Sequence, residues 1–130
     1  MIEQLIRDGL NEVELALINE VPAEITVTRN FQDASSYTDA QLEDGVINII
    51  STGVERTKIG LEFEDTHKLV ILCWVKAENG AGVEDKELRL LGYIETVVDK
   101  LKCLNLLGIV QSGQKEYPLG HLGIDLEWEL

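Results

Sequence analysis

Apolar residues recur at helical spacing in two stretches of the chain, and these are its most regular patterns. The first runs from Ile2 to Ile18 and has a mostly charged opposite face; it ends before Pro22, because proline pushes the preceding residue out of the helical region. The second runs from about Glu84 to Leu104, with lysines in its last turn. Its predicted first turn holds three acidic residues, Glu84, Asp85 and Glu87. Acidic residues at the start of a helix and basic residues at its end suit the helix dipole, which supports the second helix. We therefore predict two amphipathic helices.

Strand patterns occupy most of the remaining chain. Leu69–Val75 is apolar at every position, which is typical of a strand covered on both faces, so we predict that it is central in a sheet. Residues 123–130 alternate without a break. Further strands are predicted at Glu24–Arg29, Val46–Thr52 and Leu107–Ser112, and an edge strand or extended loop at 59–64.

The alternation in residues 123–130 separates two chemically different faces. One face carries Ile124, Leu126, Trp128 and Leu130, and the other carries Asp125, Glu127 and Glu129. We predict that the apolar face packs against the central strand and the second helix. The carboxylates are a candidate acid/base pair, but alternate side chains on a strand stand about 7 Å apart and point outward. A solvated row, or one facing a pore or a partner, is therefore the favoured interpretation.

The order of elements is helix, several strands, helix and two strands. This segregation predicts an α+β fold in which two helices pack on one face of a mostly antiparallel sheet. The 130 residues are near the commonest domain size, and no linker divides them, so residues 1–130 are predicted to form a single domain.

Charge limits the classes of partner. The formal net charge of -13 argues against binding nucleic acid by neutralising phosphates and against docking on anionic lipid. Solubility is the simplest explanation of this charge; the functional alternative is an acidic surface that repels DNA or recruits a basic protein. No apolar run approaches the length of a membrane span, and we expect assembly in the cytoplasm.

Residues with catalytic or metal-binding potential are sparse. Cys73 and Cys103 lie in apolar or helical runs and are predicted to be buried thiols. His67 is interpreted as part of a solvated turn rather than as a metal ligand, and His121 as a surface or interface residue rather than a base. We predict no catalytic, cofactor-binding or metal-binding residues, and no enzyme activity.

The segment Asn30–Gly45 is polar and has no sustained period, so it is predicted to be a long loop with one helical turn capped by Asp39. Long loops in compact domains are often functional, which makes this segment a candidate contact loop; an insertion without a role is an equal alternative. The candidate contact residues are Asp33, Ser35, Tyr37 and Asp39.

The layout as a whole resembles the tail terminator, or tail completion, proteins of tailed bacteriophages. The features that carry the resemblance are the amino-terminal amphipathic helix, the Val21-Pro22 break, the β-rich middle with a long polar loop, the second helix, and the Tyr-Pro-Leu-Gly segment followed by Ile-Asp-Leu-Glu-Trp-Glu-Leu. The resemblance covers nearly the whole chain as layout and contains no diagnostic motif.

This resemblance implies a structural virion protein without enzyme activity. Such proteins close into a ring, usually a hexamer, that caps the head-proximal end of the tail tube and joins it to the head connector. The loop Asn30–Gly45 and the region Gly53–Asp65 are then expected to reach neighbouring subunits. The resemblance does not fix which residues line the lumen; because negative walls would let DNA slide, we assign the row Asp125, Glu127 and Glu129 to it. The alternative is a free-standing acidic protein-binding module that mimics DNA.

Overall fold

The computed structural model describes residues 1–115 and 117–130, which form three α-helices and five strands. The helices are α1 (Ile2–Glu20), α2 (Asp39–Asp44) and α3 (Gly80–Lys100), with a 3₁₀ turn at Ala34–Ser36. The strands are β1 (Thr26–Thr28), β2 (Val46–Ile59), β3 (Glu62–Lys76), β4 (Leu104–Gln111) and β5 (Leu119–Glu129).

The five strands form one sheet in the order β1-β2-β3-β5-β4. Strand β1 is parallel to β2, and every other neighbouring pair is antiparallel. Helices α1 and α3 pack on one face, which we call the helix face, and bury the main core there. The predicted α+β fold is therefore confirmed, and β3 is the central strand as expected.

The apolar face of β5 packs as the sequence indicated. Ile124 and Leu126 lie beside the central strand and are fully buried under the helices. Trp128 is partly buried against the same core. Gly9 of α1 lies against the Trp128 ring, where an added Cβ would be 3.5 Å from the nearest ring carbon. β5 pairs with β3 along its whole length, so this strand is built into the middle of the sheet.

The opposite side of the sheet, which we call the open face, is only partly covered. Alternate residues of β3 that face the helices are 0–1% exposed, whereas Val70, Leu72 and Trp74 on the open face are partly exposed. The prediction that this strand is covered on both faces is thus only half right. The segment Asn30–Gly45 supplies the partial cover, with the Trp74 indole Nε1 donating to the Gln32 carbonyl at 3.3 Å.

Two helix starts differ from their predicted positions. Helix α3 begins at Gly80 because the Asn79 side chain accepts from the Gly82 N–H at 2.7 Å and caps the helix there. Its acidic residues therefore lie beyond the first turn, contrary to the dipole argument. Helix α2 is capped by Thr38, not by Asp39: Thr38 and Gln41 form a reciprocal capping box.

Residues 59–64 are not a separate edge strand. Strands β2 and β3 form one long hairpin that turns at Gly60-Leu61, and Gly60 takes the positive φ of 62° that this tight turn needs. β5 pairs with β3 as far as Thr66, so residues 56–65 continue as a two-stranded ribbon. This ribbon, which we call the hairpin arm, extends about 13 Å from Asp65 to the turn at a strand rise of ~3.3 Å per residue.

Candidate functional site

The predicted carboxylate row lies on the open face of β5. Asp125 and Glu129 are exposed, and they stand opposite Val70 and Thr66 of β3. Glu127 is less free than expected, because its carboxylate forms an ion pair of 2.8 Å with Lys68 on the neighbouring strand. The Glu127 hydrogen bond is also the main cause of a raised pKa at Lys68. Two members of the row thus face solvent and the third is paired.

The row continues onto the hairpin arm. Because side chains alternate along paired strands, Glu55, Glu62 and Glu64 share the open face with Thr66 and the β5 row. Lys68 lies between the two groups, 2.8 Å from Glu127 and 3.8 Å from Glu55. We call the six carboxylates the acidic strip: Glu55, Glu62, Glu64, Asp125, Glu127 and Glu129. Lys68 offsets one of the six carboxylate charges, so the strip remains strongly negative.

The other face of the arm is held together by an arginine. Nε and Nη2 of Arg56 donate to the two oxygens of the Asp65 carboxylate, at 2.7 and 2.9 Å. The guanidinium carbon lies 5.4 Å from the Phe63 ring centroid. The bond from Arg56 lowers the pKa of Asp65. These contacts favour a straight ribbon, although a lone two-stranded hairpin is only marginally stable in water.

The tip of the arm is apolar and uncovered. Leu61 is 97% exposed, and Ile59 and Phe63 are more than half exposed. Large apolar side chains gathered at the end of a protruding ribbon are typical of a contact site. That the region Gly53–Asp65 reaches neighbouring subunits stays a prediction, and the predicted strand boundaries did not include the hairpin arm.

The candidate contact loop lies at the other end of the open face. The Tyr37 hydroxyl donates to Asn48 Oδ1 at 3.0 Å, and Asp39 pairs with Lys76 at 2.8 Å, so both side chains bind their own sheet. Burial raises the pKa of Tyr37, against a lowering by the Asn48 hydrogen bond. Asp33 and Ser35 remain exposed.

The loop set and the carboxylate row do not form one site. Lys76, the partner of Asp39, is six residues from Val70, which stands opposite Asp125. At ~3.3 Å per residue the two groups are about 20 Å apart along β3.

His67 lies inside β3 and is buried, so its interpretation as part of a solvated turn is wrong. It is 1% exposed on the helix face, and its Nε2 lies 2.8 Å from Ser51 Oγ. Burial lowers the pKa of its imidazole. The sequence carried a signal for this position, because His67 continues the two-residue period of Leu69 and Ile71.

We predict that acid destabilises the protein through His67. The unfolded chain binds a proton near the ordinary pKa of 6.5, while the folded chain resists it, so stability falls as the pH drops from 6.5 toward the lowered folded-state pKa. Urea unfolding of the native chain and of His67→Gln between pH 8 and 5 measures the difference. Parallel pH profiles for the two proteins would show that His67 does not contribute.

A second buried polar cluster ties α3 to the β4–β5 connection. Glu87 is 0% exposed; it accepts a short hydrogen bond from the Ser112 hydroxyl and a second, of 2.9 Å, from the Gly113 N–H. Ser112 Oγ in turn accepts from the His121 backbone N–H at 3.0 Å. Gly120 allows this approach, since an added Cβ would lie 2.5 Å from the Glu87 carboxylate. Among described residues no buried side-chain nitrogen or oxygen lacks a partner.

This cluster is not arranged as a nucleophile and base. His121 contributes its backbone N–H, while its ring lies on the open face, edge-to-face with Trp74 at 6.3 Å between centroids.

Cys73 is buried nearby, and burial together with the Glu87 charge raises the pKa of its thiol. Cys103 is exposed after α3, so its predicted burial is wrong.

Within residues 1–115 and 117–130, no group of three or more histidine, cysteine or acidic side chains is placed to hold a metal ion. No helix in the same ranges is long and apolar enough to cross a membrane. Comparison with known proteins finds no protein-family model that matches this chain and no significant match among curated proteins.

Proposed function

We propose that this chain is a subunit of a homo-oligomeric ring at the head-proximal end of a bacteriophage tail tube. The ring ends tube growth and joins the tube to the head connector. The observation that carries the proposal is the acidic strip, which runs along one open face of the sheet and onto the hairpin arm. The resemblance of the sequence layout to tail terminator proteins supplies the biological setting.

A negative wall suits a channel for DNA. Attraction to phosphates would retard a sliding duplex, whereas carboxylates repel it without forming lasting contacts. Asp125 and Glu129 are exposed on the open face and are the residues that we assign to the lumen, with Glu127 held beside Lys68. In this arrangement α1 and α3 lie on the side of the sheet away from the DNA.

A ring of such subunits needs attractive contacts that exceed the repulsion between acidic copies. Exposed apolar side chains are available in two places, the tip of the arm and the edge strand β4, where Leu107, Ile109 and Val110 are 42–61% exposed. Strand β4 pairs with β5 on one side only, so its other edge can accept a further strand.

The direct test is electron microscopy of tail tubes assembled from the tube protein encoded in the same genome, with and without this chain. We expect a ring at one end of each tube and a fixed tube length when the chain is present. Native mass measurement of the chain alone gives the oligomeric state in solution. Tubes that grow without limit and carry no added density would contradict the proposal.

Neutralising the carboxylates of the β5 row tests whether they act in ring assembly and DNA passage or in folding. We predict that Asp125→Asn, Glu127→Gln and Glu129→Gln together change the free energy of unfolding by about 1 kcal/mol or less, because exposed ion pairs contribute little. DNA passage or ring assembly should change, which packaged-genome ejection and native mass measurement detect. A triple variant that fails to fold would give the carboxylates a structural role and remove the main support for a lumen.

The same acidic strip favours one second candidate, an acidic module that occupies a basic nucleic-acid-binding protein by mimicking DNA. That function needs one copy per partner and no ring. A stable complex with a basic protein, dissociated by salt and by the triple neutral variant, would favour it. Tail and head genes beside the coding sequence would count against it.

A further inference from the structure

A shallow, mostly apolar groove lies where the first two turns of α1 pass the chain just after β1. It has a volume of about 500 Å³ and is lined by Ile2, Ile6, Arg7, Arg29 and Glu3. Arg7 bonds Glu3 at 2.8 Å and Arg29 donates to Asn11 at 2.6 Å, both at the surface. The groove thus gathers two of the four arginines in a chain of net charge -13.

The tip of the hairpin arm has the complementary chemistry. Ile59, Glu62 and Glu64 share one face of the arm, and Leu61 lies exposed in the turn beside them. Apolar side chains flanked by carboxylates at the tip match a groove whose apolar side chains are flanked by two guanidiniums and one carboxylate, that of Glu3. Exposed surface pairs such as Arg7–Glu3 are weak, so Arg7 can exchange its partner at low cost.

Within one copy the two surfaces lie far apart. Thr28, next to Arg29, stands opposite Asn48, and Asn48 is eleven residues before Ile59 in β2. At ~3.3 Å per residue this places the tip about 36 Å further along the strand. The arm also leaves Leu61 almost wholly exposed, so its own chain does not cover it.

We infer that the arm tip of one copy docks in the α1–β1 groove of a second copy. Ile59 and Leu61 contact Ile2 and Ile6, while Glu62 and Glu64 face Arg7 and Arg29. The contact joins two different surfaces, so each copy offers both an arm and a groove and successive copies close a ring when the rotation allows it. This inference rests on the proposed ring and names the contact that builds it. The β5 carboxylates lie outside this contact, so it does not compete with their assignment to the lumen.

Disulfide trapping between two separately made variants tests the contact. Leu61→Cys and Ile2→Cys chains, both carrying Cys103→Ser to remove the exposed native thiol, are mixed and oxidised. We expect a mixed dimer in severalfold excess over the control mixture of Leu61→Cys with Leu15→Cys. Leu15 is a suitable control because it is 60% exposed on α1 and points away from the groove, about 180° from Ile6 at 100° per residue.

A charge exchange gives an independent readout. Glu62→Arg with Glu64→Arg, and Arg7→Glu with Arg29→Glu, should each weaken association by about fivefold per ion pair, and a mixture of the two variants should restore it. Circular dichroism and urea unfolding check that each variant folds. Sedimentation measures the association.

The outcomes separate this inference from the proposed ring. Rings that form without excess Leu61–Ile2 cross-linking and without charge rescue would overturn the docking contact and leave the ring proposal standing. Cross-linking of the arm to the tube protein instead of to a second copy would also overturn it. A chain that stays monomeric alone and on tail tubes, with no mixed dimer, would overturn both.

Discussion

Replacing Glu87 by alanine is expected to lower the free energy of unfolding by about 3 kcal/mol, the cost of leaving buried donors unpaired and a cavity behind. The Ser112 hydroxyl and the Gly113 N–H would both lose their acceptor. Urea unfolding monitored by tryptophan fluorescence measures the change.

Two variants distinguish the lost hydrogen bonds from a general effect of helix substitution. Asp85→Ala removes an exposed carboxylate from the same helix and should change stability by no more than about 0.5 kcal/mol. Glu87→Gln keeps the length and one acceptor oxygen, so its effect should lie between the other two. Equal stabilities for the Glu87→Ala and Asp85→Ala chains would show that the cluster does not stabilise the fold.

The position of Glu87 illustrates what the sequence pattern could and could not predict. The helical stripe through Leu90 and Ile94 continues backwards to Glu87 and Val83, so periodicity alone would have placed Glu87 on the buried side. Its charge instead favoured a place in an exposed first turn. A buried carboxylate is tolerated here because its donors come from Ser112 and Gly113, which lie 25 and 26 residues away in the chain.

Local alternation was the most reliable signal in the strands. It gave the two faces of β5, because these depend on side chains that are buried or exposed at every second residue. The central position of β3 was predicted instead from the unbroken apolar run Leu69–Val75. Alternation did not give the hairpin arm. Residues 59–64 do alternate, which indicates an extended chain but not its partner, so the pairing of β2 with β3 across Gly60-Leu61 had to come from the structure.

The sequence also predicted one part of the candidate site and missed another. That Asp125, Glu127 and Glu129 share one face follows from the two-residue period. That Lys68 binds Glu127 does not, because the partners are 59 residues apart and meet only through the register of β3 and β5. Extension of the acidic strip onto the arm depends on the same register.

Shortening the hairpin arm is expected to abolish ring assembly while leaving the fold intact. Deleting Lys58, Ile59, Glu62 and Phe63 removes two cross-strand pairs, so Gly60-Leu61 closes the ribbon at an equivalent position of the antiparallel ladder. The deletion removes one positive and one negative charge and leaves the net charge unchanged. Because these residues are exposed and the ribbon is marginal alone, the free energy of unfolding should change by about 1 kcal/mol or less.

The loss of assembly follows from reach and chemistry together. The shortened arm ends about 7 Å closer to the sheet at ~3.3 Å per residue, and it lacks Ile59 and Glu62, two of the four residues that we assign to the groove contact. Native mass measurement and electron microscopy of tail tubes give the readout. Leu15→Ala is the matched control, since it removes one exposed apolar side chain from the side of α1 away from the groove, leaves the arm at full length and should assemble normally. A shortened chain that still forms rings would show that the arm is dispensable and that the subunits are joined elsewhere, with the open edge of β4 the next surface to test.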